Sequence, residues 1–173
     1  MQHNINTTFD ETKKDYTMAL FSRNRAGILN RITSVFSRIK LNIDSLNVSE
    51  TETHGVFRYS VRVHTTEKLV RRITKQIEKQ VDVLKAVYAT DDLIVQQEVA
   101  LYKIPSEVMI DDIQTEDIIR KHNAKILRIH REYTVIEKTG HKHETQALFD
   151  ELQPYGILEF VRSGPISIGK INY

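Results

Sequence analysis

The order in which the hydrophobic period changes along the chain is the tightest constraint on its fold. "YTMALFS" (Tyr16–Ser22) reads as a strand, and a helical pattern follows it closely. Apolar residues then fall at Ile28, Leu29, Ile32, Val35, Phe36 and Ile39, one stripe of a 3.6-residue period, so a helix is expected from about Arg25 to Lys40. "NIDSLNVSETE" (Asn42–Glu52) is an imperfectly alternating strand. After the turn "THG", the stretch "VFRYSVRVHT" alternates strictly. Phe57, Tyr59, Val61 and Val63 face one way, and Arg58, Ser60, Arg62 and His64 the other. "TEKLVRRITKQIEKQ" is a second amphipathic helix with Leu69, Val70, Ile73 and Ile77 inward; Thr66 is its expected N-cap, and Glu67 suits its first turn. "VLKAVYATD" (Val83–Asp91) closes the unit. The order β-α-β-β-α-β is that of a ferredoxin-like split βαβ.

The second half repeats the plan more faintly. "QQEVALYKI" is a strand, "DDIQTEDIIRKH" a short helix, and "AKILRIHRE" with "YTVIEKTG" a hairpin. "HKHETQALFDELQPYG" is a helix with Thr145, Leu148, Phe149 and Leu152 inward, stopped by Pro154 and Gly156, and "ILEFVRSGPISI" closes the unit. The fold class is α+β, with two ferredoxin-like βαββαβ domains. Residues 1–15 are expected to be a disordered lead-in, 16–92 the first domain and 93–173 the second. Two helices on one face of a small sheet leave its other face and its edges open, so a dimer is expected.

Composition removes several functional classes. Net charge is +2, split as +4 over residues 1–92 and −2 over 93–173, which is no field for nucleic acid or an anionic membrane. The chain has no Cys, hence no disulfide framework, thiolate site or Cys nucleophile, and a reducing, cytoplasmic setting is expected. No apolar run approaches the ~20 residues of a membrane span. His141 and His143 are spaced i,i+2 at a helix start, poor geometry for metal ligands on one face, so they read as solvated polar residues. Asp111-Asp112 sits where a helix N-terminus favours carboxylates and Asp91-Asp92 at the domain junction, so neither pair reads as catalytic. Ser163-Gly164 lacks the flanking glycine of a nucleophile elbow and reads as a turn or a subunit contact. The RNA-recognition motif shares this strand order. However, "HGVFRYSV" places Val56 and Arg58 where base-stacking aromatics are needed, and Phe57 and Tyr59 belong under the helices.

Gly27 stands at the start of the first helix, although Gly costs a helix interior roughly 1 kcal/mol relative to Ala. It serves either a tight strand-to-helix loop or the close approach of a ligand to the first free N–H groups, which favour an anion such as a carboxylate. Asn24, three residues earlier, offers an amide donor and acceptor. Asn42, opening the next strand, could grip a polar head group from a second direction, across a dimer interface. These groups describe a site for a small amino acid, with no catalytic group in it.

"NRAGILNRITSVFSRIKLNIDSLNV" resembles the ACT-domain ligand motif of acetohydroxyacid (acetolactate) synthase small regulatory subunits. The resemblance continues through "LVRRITKQIEKQVDVLKAV" and "EVALYKI" to "LQPYGILEFVRSGPISI", covering nearly all of residues 16–168 in order. It implies effector contacts at Asn24, at Ala26, Gly27, Ile28 and Leu29 around the turn, and at Asn42 with Ile43. It further implies that valine or another branched-chain amino acid binds between two ACT domains of a homodimer. The effector would then act on a separate catalytic large subunit carrying thiamine diphosphate, Mg²⁺ and FAD. Arg23 and Arg25 depart from the pattern, where family members often carry Glu. Arg31, Arg38, Arg71 and Arg72 are expected on solvated helix faces, with a share of them available to the catalytic partner. The rival reading is an ACT-type amino-acid sensor for a different enzyme; the matching second domain favours the synthase.

Overall fold

The structure is a computed structural model that describes residues 12–111 and 113–169. Most of the expected lead-in, and Asp112, lie outside the described residues. The chain divides into two compact units: Gln96–Ile166 form one, and the residues before Gln96, joined by those from Ser167, form the other.

In the first unit the order is β1 (Lys14–Arg23), α1 (Ile28–Arg38), β2 (Ser45–Glu50), β3 (Val56–Thr65), α2 (Glu67–Glu78) and β4 (Val83–Thr90). The antiparallel sheet runs β2-β3-β1-β4, with β1 and β3 inside. Those two strands supply Tyr16, Met18, Leu20, Tyr59, Val61 and Val63 to the core. Against them pack Ile28, Ile32, Val35 and Phe36 of α1, and Val70, Ile73 and Ile77 of α2. Helices of 11 and 12 residues are marginal alone in water, so this burial, worth about 1.5–3 kcal/mol per large apolar side chain, is what holds them. Asp15, Arg62, His64 and Asp91 form one ionic cluster, Arg62 reaching Asp91 at 2.8 and 3.1 Å and Asp15 at 3.0 Å. The Asp15 carboxyl lies below its ordinary value. The His64 hydrogen bond (2.7 Å) is the main cause; partial burial opposes it and Arg62 reinforces it.

The second unit repeats the topology: β5 (Ile94–Pro105), α3 (Glu107–Asp111), α4 (Ile113–Lys121), β6 (Lys125–Ile129), β7 (Tyr133–Gly140), α5 (Lys142–Leu152) and β8 (Glu159–Arg162). Its sheet is ordered β6-β7-β5-β8, and β9 (Ile166–Gly169) also pairs with β5. Ala100, Tyr102, Ile104, Ile136, Leu148 and Leu152 form its core. The Tyr102 hydroxyl donates to the Thr145 carbonyl at 2.6 Å, and burial pushes this phenol well above its ordinary value. The outer face of β5 and β8 leaves Val99, Leu101 and Val161 exposed.

Four expectations are corrected. First, α1 begins at Ile28 rather than Arg25, because Gly27 is its N-cap with φ +82°, a left-handed conformation that no first-turn residue can take. Second, Leu29 lies outside the buried stripe and is 42% exposed. Third, the helical residues before the second hairpin begin at Glu107, ahead of the expected start at Asp111. Fourth, the closing segment breaks into β8 and β9 at Ser163–Pro165, where Gly164 has φ +70° and Pro165 lacks a ladder donor. The Ser163 hydroxyl accepts the Val99 N–H there (3.1 Å), which makes this a bonded turn. Thr66 is the N-cap of α2, as expected, but makes no side-chain cap bond. His141 is the N-cap of α5, and its N–H donates to the Glu144 carboxylate at 2.7 Å; its ring stacks on that of His143.

Candidate functional site at the start of α1

The β1–α1 connection, Asn24–Gly27, is exposed along its whole length. It is nevertheless pinned at its base. The Arg23 N–H donates to the Asp82 carbonyl (2.9 Å) and the Asn24 N–H to the Gly55 carbonyl (3.0 Å). Three turns therefore meet at one end of the first unit: the loop itself, the β2–β3 hairpin tip and the α2–β4 turn. Asp82 also accepts a bond from Arg31 Nη2 at 3.1 Å, so a single residue holds both the loop's entry and the first turn of α1. Asp82 has φ +72°. Sequence reasoning missed this link. An Asp in a two-valine strand entry just after a helix was the available signal, since Asp tolerates the left-handed region better than most residues.

At the helix start, the Ile28 N–H turns back to Arg25 and the Arg31 N–H bonds the Gly27 carbonyl. Those of Leu29 and Asn30 have no carbonyl acceptor among the described residues, as expected of a first helical turn. A Cβ built on Gly27 would meet nothing within 4 Å. The glycine is thus required by its φ, and the space in front of it is open. The first turn of α1 has no acidic residue, so the positive end of the helix dipole is not neutralised locally. Arg23 and Arg25 add positive charge on the loop, whereas Arg31 is paired with Asp82. Leu29, solvent-facing, supplies an apolar surface beside these donors. The arrangement suits a small molecule with a carboxylate and an aliphatic side chain.

The remaining expected contacts are elsewhere. Asn42 is exposed, while Leu41 and Ile43 on either side pack on the core, so Ile43 serves to anchor the segment. This segment follows the C-terminal end of α1, whereas Gly27 caps the N-terminal end. Eleven residues at about 1.5 Å each separate the two ends by about 16 Å. The sheet register agrees: Arg23 pairs with Val56, whereas Ser45 pairs with Arg62, which pairs with Thr17. The structure brings together Asn24, Ala26, Gly27 and Leu29, with Ile28 contributing backbone only because its side chain is buried. It does not bring Asn42 and Ile43 to them within one chain. Among the described residues no group of three or more His, Asp or Glu is arranged to hold a metal ion. Among the described residues no helix is long and apolar enough to cross a membrane.

Two βαββαβ units, the first with a glycine-capped, open helix start, define a two-domain chain of the ACT type. Residues 18–85 match the model of the AHAS small subunit-like ACT domain, and residues 97–171 that of the small subunit of acetolactate synthase. The acetolactate synthase small subunit of Bacillus subtilis is 40% identical over 150 residues, covering 85% of this chain and 86% of its own. That of Mycolicibacterium smegmatis is 32% identical over 155 residues, covering 90% and 91%. A crystal structure of the acetolactate synthase small subunit from Thermotoga maritima matches with a TM-score of 0.83 at 26% identity, covering 92% of this chain and 99% of that one. The chain belongs to the acetolactate synthase small-subunit family. It has a regulatory place in branched-chain amino-acid synthesis, beside a catalytic large subunit.

Proposed function

We propose that this chain has no acetolactate synthase activity of its own, raises the turnover of the large subunit, and lets valine, or leucine or isoleucine, lower it again. Thiamine diphosphate, Mg²⁺ and FAD reside in that partner. The observation that carries the reading is the helix start at Gly27. Its free N–H groups and surrounding arginines receive the effector's carboxylate, Leu29 meets its side chain, and Asn24 offers an amide to its polar head. The second direction of contact, Asn42, is too distant in the same chain and comes from the neighbouring copy of a homodimer. A hydrogen bond to a charged group is worth roughly 1.5–3 kcal/mol, enough for one or two such amides to set the affinity.

The test is reconstitution. Acetolactate formation is measured for the purified chain, for the large subunit, and for the two together, each with and without valine. Turnover is expected only where the large subunit is present, higher in the mixture, and valine-sensitive in the mixture alone. Acetolactate production by the purified chain, or a mixture no more active than the large subunit, contradicts the reading.

A further inference from the structure

Helix α2 presents two unlike faces. Val70, Ile73, Thr74 and Ile77 are buried. On the other side Lys68, Arg71, Arg72, Lys75 and, one residue past the helix end, Lys79 are all exposed, and with Gln76 they line a shallow groove along the helix. The spacing i, i+3, i+4, i+7, i+11 makes them one cationic stripe. Lys68 with Arg72, Arg71 with Lys75 and Lys75 with Lys79 are like-charged i,i+4 pairs, each of which disfavours the helix in isolation. Lys68, near the positive N-terminal end, is opposed by the dipole as well. The chain carries 25 Lys+Arg against 23 Asp+Glu, so without these five cations its net charge would be −3.

The face is also mechanically close to the effector site. α2 runs into the turn that holds Asp82, whose carbonyl bonds Arg23 and whose carboxylate bonds Arg31. Asp82 therefore links the entry of the Asn24–Gly27 loop to the turn that follows α2. By contrast, the outer side of α1 carries the exposed Leu29, Asn30 and Arg38 together with Thr33, Ser34 and Ser37, whose hydroxyls are bonded back to its own carbonyls.

We infer that the outer face of α2 is a docking surface for an acidic surface of the catalytic large subunit. The inference rests on the regulatory reading above and names the side of the chain through which it acts. A cationic stripe of this kind takes an acidic protein partner by charge complementarity, gaining on-rate and register at low salt and losing affinity as salt rises.

The experiment compares the wild-type chain with a variant carrying Lys68→Gln, Arg71→Gln, Arg72→Gln and Lys75→Gln, all exposed positions that Gln fills without weakening helix propensity. Binding to the large subunit is titrated by the gain in acetolactate turnover at several KCl concentrations. Valine binding to each isolated chain is measured by calorimetry, and self-association by sedimentation. The variant is expected to bind the large subunit at least tenfold more weakly at low salt and with a shallower salt dependence, while valine affinity and self-association stay as in wild type. Equal affinity and salt dependence for the two chains overturn the surface and leave the regulatory reading intact. A variant that loses self-association instead assigns the face to contacts between copies and likewise overturns it. A wild-type chain that neither binds nor stimulates the large subunit removes the regulatory reading itself.

Discussion

Gly27 caps the N-terminal end of α1 and Asn42 follows its C-terminal end, and the 11-residue helix between them is about 16 Å long. An effector gripped by both must therefore lie between two chains. Linkage follows: if only the dimer offers the full site, effector binding strengthens association by the free energy with which association strengthens binding. At an effector concentration 100 times its dissociation constant this stabilisation is about 2.7 kcal/mol per independent site. Sedimentation across a dilution series should show a tighter dimer with saturating valine.

Gly27→Asp should abolish valine sensitivity while leaving stimulation of the large subunit intact. The new carboxylate would occupy the open space in front of the helix and repel the effector's own. The left-handed φ costs an L-residue about 1–2 kcal/mol, less for Asp, and Asp is a good N-cap, so the fold is retained with a melting temperature lowered by no more than a few degrees. Inhibition of the reconstituted variant at the wild-type valine concentration would place the site elsewhere.

Asp82 offers a separation of backbone from side chain. Asp82→Gly relieves the left-handed φ and loses one part-exposed ion pair with Arg31, two effects of about 1 kcal/mol that oppose each other. Asp82→Ala loses the same pair and gains no relief. In urea unfolding, the Gly variant should lie within about 1 kcal/mol of wild type, with Ala roughly 1 kcal/mol below Gly. Equal stability of Ala and Gly would mean that the turn is not held in the left-handed region.

The main elements were legible because their periods are clean. The α2 stripe, the alternation of β3 and the buried face of α5 match the structure nearly residue for residue. What was not legible depended on long-range pairing or on φ. Nothing in the local pattern says that Gly27 is the cap rather than the first turn, and Leu29 continues the apolar run although the 100° step carries it to the solvent side. The site was half legible. Its residue types could be named from one motif, but the distance from Gly27 to Asn42 follows only from where α1 starts and stops. The Asp82 clasp joins residues 51 positions apart to Arg31, and no local pattern reports that.

Acid should destabilise the fold from about pH 4.5 downward. Asp15, Glu144 and Glu151 all lie below their ordinary values of 3.8, 4.5 and 4.5. For Asp15 the main cause is the His64 bond, for Glu144 the His141 backbone N–H, and for Glu151 the Lys121 bond, seconded by His122. A carboxyl with a depressed folded-state pKa contributes stability above its unfolded value and loses it as pH falls through the folded one. Denaturant unfolding should thus be insensitive to these groups between pH 5 and pH 7 and weaken below about 4.5. Asp15→Asn should flatten the lower part of that limb; an unchanged acid limb in this variant would show that the cluster does not stabilise the fold.

Subunit complementation tests the shared site most directly. Chains carrying Gly27→Asp are mixed with chains carrying Asn42→Ala, and valine binding to the mixture is measured by calorimetry. Each variant alone should bind poorly, since every site in its dimer carries the lesion. In a mixed dimer one site gathers both lesions, while the other combines an intact helix start with an intact Asn42. The account predicts that wild-type affinity returns on mixing, with a capacity of one site per mixed dimer. If mixed dimers form and bind no better than the weighted sum of the two parents, each chain holds a complete site and the two-chain pocket is wrong.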